Sequence, residues 1–277
     1  MAAQLTVSAL EARLAAKLGS SRPADPAGTN GATDAVTGIA VSWTPTMEVL
    51  RRAVAMHMNL ILSMEPPYWN GKAIEGRPAG PEQLEPDPTY RMKKAYLEQN
   101  RLTVLDVRDG WTALPEDGQL RGLSRALGWD ARYRPLNGMT PWARGNDRFE
   151  LPAARFGELA RNIKQQLKAH TIRCIGDPQL SVSKVALTHG YFLVSDVQKV
   201  LAGPPVDLLV VGEACEWEAC PYFMDLIASG QKKAMILLGS QVSSEPGCGE
   251  LASWVRGFVN EVPVEWLPAG EPFQAVS

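Results

Sequence analysis

The sequence predicts an α/β protein. Apolar runs of strand length alternate with amphipathic segments of helix length, an order typical of a parallel sheet covered by helices. The same order occurs in both halves, with strand centres at Ile39 and Ile61 in the first and at Val185 and Leu209 in the second. This repetition favours an internal duplication, although any α/β chain has similar spacings. A hydrophobic content of 45% in 277 residues is ample for a buried core.

Capping signals and hydrophobic periodicity place the elements of the first half. Ser8-Ala-Leu-Glu11 has the spacing of a capping box and predicts a helix to about Lys17. Thr44-Pro45 supplies an N-cap and a first-turn proline for a helix to about His57. Strands are predicted over 38–43, 59–63 and 102–106, further helices over about 89–99 and 115–127, and loops over 19–37 and 64–88.

The second half follows the same pattern. Strands are predicted over 182–188, 207–211, 233–238 and 262–267, and helices over about 193–201, 216–229 and 249–260. Gly118-Gln-Leu120 matches Gly249-Glu-Leu251 near the expected start of the third helix of each half. We therefore expect a first α/β half with an N-terminal helix over 1–130, a linker with a helix over 131–180, and a second α/β half over 181–277.

Composition excludes several classes of partner. Lys+Arg 28 against Asp+Glu 30 gives a net charge of −2, so no basic excess indicates nucleic-acid binding. The longest apolar runs, such as 206–212, are far shorter than a membrane span, and the N-terminus lacks the pattern of a signal peptide. The four cysteines form no CxxC pair. We expect a cytoplasmic protein with reduced thiols that binds neither nucleic acid nor a membrane.

Acidic residues collect where the predicted strands end. The chain has three histidines, His57, His170 and His189, which excludes a metal site built mainly of imidazoles. Carboxylates follow the strand ends instead, at Glu65, Asp106, Asp109, Glu213, Glu216 and Glu245. Ligands of open α/β sheets bind at these ends, and neighbouring carboxylates either bind a divalent cation or support acid/base chemistry. The alternative is that these residues are ordinary solvated loop acids.

Five segments in order along the chain carry a family resemblance. They are Thr37-Gly-Ile-Ala-Val-Ser-Trp-Thr-Pro-Thr-Met-Glu-Val-Leu50, Asn59-Leu-Ile-Leu-Ser63, Arg173-Cys-Ile-Gly-Asp-Pro178, Gly212-Glu-Ala-Cys-Glu216 and Ser244-Glu-Pro-Gly247. Over about residues 36–268 the sequence resembles the Nif-three-like proteins (NGG-one interacting factor three). These are also described as dinuclear-metal-centre hexameric proteins and are often labelled GTP cyclohydrolase type 2.

The resemblance implies a duplicated three-layer α/β protomer whose two similar halves face a shared cleft. It also implies a homo-oligomer, a trimer or a hexamer, and a pair of metal ions held mainly by histidines and carboxylates. The ligand positions depart from that pattern. Met64-Glu65 stands at the family's His-His pair, Arg108 at a His, Thr112 at an Asp and Gln241 at the C-terminal His. Glu245 alone keeps the family's ligand type.

The rebuilt positions leave three readings open. In the first, a metal-free cleft binds a small anionic or polar organic ligand, and Arg108 replaces the cation charge by pairing with Glu65 or Glu245. In the second, Glu65 and Glu245 hold one divalent ion, Mg²⁺, Mn²⁺ or Ca²⁺, that activates water for hydrolysis. In the third, the protein is a non-catalytic assembly protein.

We expect the first reading, because Arg108 would repel a dication a few ångströms away. An active enzyme would then be hydrolase-like, with candidate catalytic residues Glu65, Glu245 and His189. The candidate ligand-binding residues are Met64, Arg108, Asp109, Thr112, Glu213 and Gln241. An aromatic lining of the site from Tyr68, Trp69 and Trp111 is a further expectation.

Overall fold

The computed structural model describes residues 4–18, 34–68, 81–145 and 147–276. The chain divides into two compact units: unit 1 consists of Met1–Leu114 and Leu251–Ala269, and unit 2 of Pro115–Glu250 and Gly270–Ser277. These boundaries differ from the expected ones. Residues 131–180 belong to the second unit instead of forming a separate linker, and residues 251–269 return to the first.

The elements are numbered in chain order. The strands are β1 (Ile39–Ser42), β2 (Leu60–Ser63), β3 (Thr103–Asp106), β4 (Arg148–Arg155), β5 (Arg173–Ile175), β6 (Ser181–Leu187), β7 (Tyr191–Phe192), β8 (Leu208–Val211), β9 (Glu213–Ala214), β10 (Ala234–Leu237) and β11 (Val264–Trp266). The helices are α1 (Val7–Leu18), α2 (Met47–Ala55), α3 (Pro81–Leu84), α4 (Pro88–Gln99), α5 (Arg108–Thr112), α6 (Gly118–Ala126), α7 (Phe156–Gln166), α8 (Val194–Ala202), α9 (Glu216–Ala228) and α10 (Ser240–Arg256).

Unit 1 is built on a four-stranded parallel sheet. Its order is β11-β1-β2-β3, so the last strand of the chain pairs with the first. Every residue of β1, β2 and β3 is buried. Strands that are apolar at successive positions are typical of a parallel sheet covered on both faces, which explains why these runs could be identified from sequence.

Unit 2 contains a five-stranded mixed sheet with the order β4-β6-β8-β10-β5. The three central strands are parallel, and the two edge strands are antiparallel to their neighbours. Alternate residues enter two separate cores: Leu208 and Val210 lie in one, Leu209 and Val211 in the other. Helices therefore cover both faces, as a three-layer α/β unit requires.

The three central parallel strands of unit 2 follow one another across the sheet as β1, β2 and β3 do in unit 1. The α/β fold class predicted from the sequence is confirmed.

Several helix starts differ from the prediction. Thr6 caps α1 by accepting from Ala9 N at 3.2 Å, so the cap is not Ser8. Thr46 caps α2 by accepting from Val49 N at 3.3 Å, so the cap is not Thr44. In each helix the hydroxyl of the observed cap, two residues from the predicted one, accepts from a backbone N–H of the first turn. Residues 64–88 also contain the short helix α3, whereas 69–80 lie outside the described residues.

The largest error concerns α10. The sequence predicts this helix only from about Gly249, yet α10 begins at Ser240 and contains Pro246. Tertiary packing overrides the local cost of the proline, because Val242 packs against the unit 2 core and Ser243 and Ser244 are fully buried. In the described ranges, no helix is long and apolar enough to cross a membrane.

Candidate functional site

The first candidate site lies at the carboxyl ends of β2 and β3 in unit 1. Ser63 and Asp106 are paired across these parallel strands, and Glu65 and Arg108 each follow two residues later. The Ser63 hydroxyl donates to the Glu65 carbonyl at 2.8 Å, which fixes the turn after β2. The Asp106 carboxylate accepts from Arg108 N at 3.0 Å, which fixes the start of α5. The strand ends thus hold Glu65 and Arg108 side by side.

Glu65 and Arg108 form an ion pair. Arg108 Nη1 donates to Glu65 Oε1 at 2.7 Å, and the two side chains are 26% and 23% exposed for Arg108 and Glu65 respectively. Arg108 Nε lies 3.9 Å from Asp109 Oδ1. The sequence left the partner of Arg108 open between Glu65 and Glu245, and Glu65 is the one observed. Arg108 therefore stands where the resemblance implies a metal-binding histidine, and its guanidinium is already bonded to the carboxylate of Glu65.

The other predicted residues of unit 1 differ in their surroundings. The Thr112 hydroxyl donates to the carbonyl of Arg108 at 2.8 Å, so it stabilises its own short helix. Asp109 has a side chain that is 82% exposed. Met64 is completely buried. Their roles in ligand binding remain predictions.

The expected aromatic lining takes a different form. Tyr68 packs edge-to-face on Tyr90, with ring centroids 4.6 Å apart, and burial raises the pKa of Tyr68 to about 12. Trp111 packs on Trp254 at 5.4 Å and is buried. These contacts are internal packing within unit 1. Trp69 lies outside the described residues.

The predicted residues of unit 2 lie on α10, on β9 and just after β6. Gln241 and Glu245 lie in the first turns of α10, ahead of the helix start predicted at Gly249. Glu245 is buried, and its charge adds to burial in raising the pKa of the Cys248 thiol well above its ordinary value. Glu213 is exposed on β9. The predicted convergence of Gln241 and Glu245 with Glu65 and Arg108 remains a prediction.

His189 has a partner that the sequence did not reveal. Its Nε2 lies 3.0 Å and 2.9 Å from the two carboxylate oxygens of Asp117, and the His189 and Asp117 side chains are 16% and 9% exposed. Asp117 is also the N-cap of α6, since its Oδ1 accepts from Gln119 N and Leu120 N. An aspartate just before a helix is a recognisable cap signal. Nothing in the sequence indicated that it would meet His189.

Two opposing effects set the pKa of Asp117. Burial acts to raise it, but the hydrogen bond and charge of His189, the N–H of Leu120 and the charge of Arg144 together lower it below its ordinary value. Asp117 is therefore ionised and acts only as an acceptor. The result is an oriented carboxylate–imidazole pair, an arrangement that in enzymes fixes the tautomer of a proton-transferring histidine.

The grouping of possible donor side chains bears on metal binding. Across the part of the chain that the structure describes, no three His, Cys, Asp or Glu side chains are grouped so as to hold a metal ion. Glu65, the candidate ligand in unit 1, is occupied by a guanidinium at 2.7 Å. The described donor set thus does not match the dinuclear site that the resemblance implies.

Comparisons with known proteins bear on the fold. No protein-family model and no curated protein matches the sequence. Solved structures do match along almost the whole chain. A Staphylococcus aureus protein, SA1388, superposes with a TM-score of 0.68 at 16% identity, covering 98% of this chain and 99% of that one.

A Bacillus cereus protein related to NIF3 superposes with a TM-score of 0.67 at 14% identity, covering 99% of both chains. The protein ybgI, described as of unknown function, gives 0.66 at 18% identity and covers 97% of this chain and 100% of that one. This chain has the fold of the NIF3-related proteins. The resemblance read from five short segments is confirmed at the level of the fold, and identities this low carry no activity with them.

Proposed function

We propose that the chain is a Nif3-like protein in which Arg108 replaces a metal ion. In this proposal the carboxyl ends of β2 and β3 bind a small anionic or polar organic ligand. The observation that carries the proposal is the contact of Arg108 Nη1 with Glu65 Oε1 at 2.7 Å. A dication close to this guanidinium would be strongly repelled, whereas an anion would be attracted.

The chemistry of the guanidinium supports an anionic ligand. Arg has five N–H donors in a planar fork that matches a carboxylate or phosphate, and the contact with Glu65 uses one of them. The pair is about a quarter exposed, so its net contribution to stability is about 0–1 kcal/mol. Glu65 therefore positions the guanidinium of Arg108, and little free energy is needed to turn that guanidinium towards a ligand.

Any catalysis at this site is proposed to be acid/base or hydrolytic. Glu65 is the candidate proton-transferring group beside Arg108, and Glu245 and His189 are the candidates in unit 2. The proposal requires no metal ion.

We also place the protein in the cytoplasm, where its four free cysteines would stay reduced.

Self-association is proposed for an exposed apolar face on α9. Trp217 is 77% exposed and Met224 is 60% exposed, and their spacing of seven puts them on one side of the helix. Large exposed aromatic residues are enriched where proteins bind one another. Sedimentation velocity on Trp217→Glu should show a smaller species than the wild type. Met92→Glu, at an exposed position of α4, is the matched control, and identical sedimentation of all three proteins would contradict the proposal.

A thermal-shift screen of small carboxylates, phosphate and divalent cations tests the ligand proposal. We expect an anion to raise the melting temperature of the wild type and to lose this effect in Arg108→Ala. Arg51→Ala, an exposed arginine on α2, is the control and should respond like the wild type. Stabilisation by a divalent cation, unchanged in Arg108→Ala, would overturn the proposal.

A further inference from the structure

The turn that follows α7 in unit 2 presents two adjacent backbone donors. Lys168 has a left-handed conformation with a φ of 52°, and the N–H groups of Lys168 and Ala169 donate back to carbonyls of α7 at 3.1 Å and 3.0 Å. These two bonds form a Schellman motif, in which the backbone itself closes the end of a helix. The N–H groups of His170 and Thr171 come directly after the closed turn and are left for another acceptor.

That acceptor is the carboxylate of Glu271 in the C-terminal tail. The N–H of Thr171 lies 3.1 Å from one carboxylate oxygen and 3.4 Å from the other, and the Thr171 hydroxyl donates to Oε1 at 2.6 Å. The N–H of His170 donates to Oε2. His170 Nδ1 also donates to the carbonyl of Phe273 at 3.0 Å. Two neighbouring residues therefore hold both a carboxylate and the backbone carbonyl two residues after it.

The sequence of the tail shapes it for this contact. Gly270 has a φ of 81°, which turns the chain, and Pro272 restricts the preceding Glu271 to an extended conformation. Within the described tail, residues 270–276, Glu271 is the one residue that is partly buried, and Phe273 is 62% exposed. The tail is thus extended and solvated, and it is attached through one side chain and one carbonyl.

We propose that His170 and Thr171 form a binding site for a glutamate followed by proline in an extended peptide, and that the chain's own tail occupies this site in cis. Because the backbone of α7 closes the turn, the donors stay in place without the tail, and a second segment of the same chemistry can replace it. Three donors to one group require a ligand that only accepts, as a carboxylate does. The bond from the His170 ring to a carbonyl two residues later selects a peptide over a free anion.

The tether decides which segment occupies the site. A segment joined by a short flexible linker has an effective concentration on the order of millimolar at its own site. A free peptide at lower concentration therefore competes poorly with the tail of the wild type. Glu271→Gln removes the charge of the tail at nearly constant size and should open the site to a peptide. The proposal uses no residue of the Arg108 site, so either proposal can fail without the other.

Nuclear magnetic resonance on the full-length protein tests the contact itself. In Glu271→Gln the backbone N–H groups of His170 and Thr171 should exchange with solvent about tenfold faster or more, because each loses a charged acceptor. A capped peptide with the sequence of residues 268–274 should reverse this change in a saturable way. Glu158→Gln, at an exposed glutamate of α7, is the matched control and should exchange like the wild type. Unchanged exchange in Glu271→Gln would overturn the proposal.

Fluorescence anisotropy of the same peptide, labelled at its N-terminus, tests the occupation in cis. Glu271→Gln should bind it about tenfold more tightly than the wild type, or more. Thr171→Val, added to Glu271→Gln, removes one donor at nearly constant shape and should weaken binding. A peptide with glutamine in place of its glutamate should not bind. Equal affinity of the wild type and Glu271→Gln, or equal binding of the two peptides, would refute the site.

Discussion

The Glu65–Arg108 pair of unit 1 and the Asp117–His189 pair of unit 2 differ in what fixes them. Glu65 and Arg108 are each about a quarter exposed, and one hydrogen bond joins the side chains. Asp117 is 9% exposed, and its side chain bonds both to His189 and to the backbone of α6. The carboxylate of the second pair is therefore held in one orientation by a helix as well as by its partner. Support from neighbouring backbone groups, more than the side-chain contact itself, therefore distinguishes the two pairs.

The largest effect is expected where α6, the helix that Asp117 caps, meets α10. A Cβ at Gly122 would lie 2.4 Å from the carbonyl oxygen of Pro246, which is backbone and cannot move aside. Gly122→Ala should lower the free energy of unfolding by about 1–3 kcal/mol. This loss would occur although alanine is the better helix former by roughly 1 kcal/mol. Chemical denaturation measures it, with Ala126→Ser on the exposed side of α6 as control. A stabilised Gly122→Ala would show that the packing is looser than described.

The cap of α6 should account for the next largest effect. Asp117→Ala removes the acceptor for two backbone N–H groups and should cost about 0.5–2 kcal/mol, while Asp117→Asn should cost less. Because the pKa of Asp117 is lower in the folded state, its charge stabilises the fold above the unfolded pKa. That stabilisation is lost as pH falls through the folded pKa. Acid titration of stability should show this loss in the wild type and not in Asp117→Asn. Identical acid curves would contradict the assignment.

A second aspartate of unit 2 should give the opposite slope. Burial raises the pKa of Asp147 to about 6, outweighing the attraction of the neighbouring Arg148. Between the unfolded value of about 4 and the folded value of about 6, the folded protein binds more protons. The free energy of unfolding should therefore fall as pH rises through that window, by at most about 1.4 kcal/mol per pH unit. Asp147→Asn should flatten this part of the curve, and an unaltered slope would refute the assignment.

The smallest effect is expected for the partly buried Glu65–Arg108 pair. A double-mutant cycle of Glu65→Gln and Arg108→Ala should give a coupling free energy of about 0.2–1 kcal/mol. It should decrease with added salt, because screening acts on partly exposed charges. The same cycle on Asp117→Asn and His189→Gln should give a larger and less salt-dependent coupling. Equal couplings would remove the distinction between the two pairs.

The sequence predicted the parallel strands well because their apolar runs are continuous, as at β2 and β8. It missed β4, an edge strand whose exposed and buried residues alternate irregularly around a shift in register. It also missed the start of α10, because packing stabilises a proline within that helix. The family resemblance limited the expected partner of Arg108 to two residues, Glu65 and Glu245. The contact of Asp117 with His189 joins residues 72 positions apart, a distance that no local pattern reports.

The metal content of the purified protein tests the central claim most directly. We expect far less than one equivalent of any divalent metal per chain, and no difference between the wild type and the variants Glu65→Ala and Glu245→Ala. One or two metal ions per chain, lost in those two variants, would contradict the replacement of the metal by Arg108.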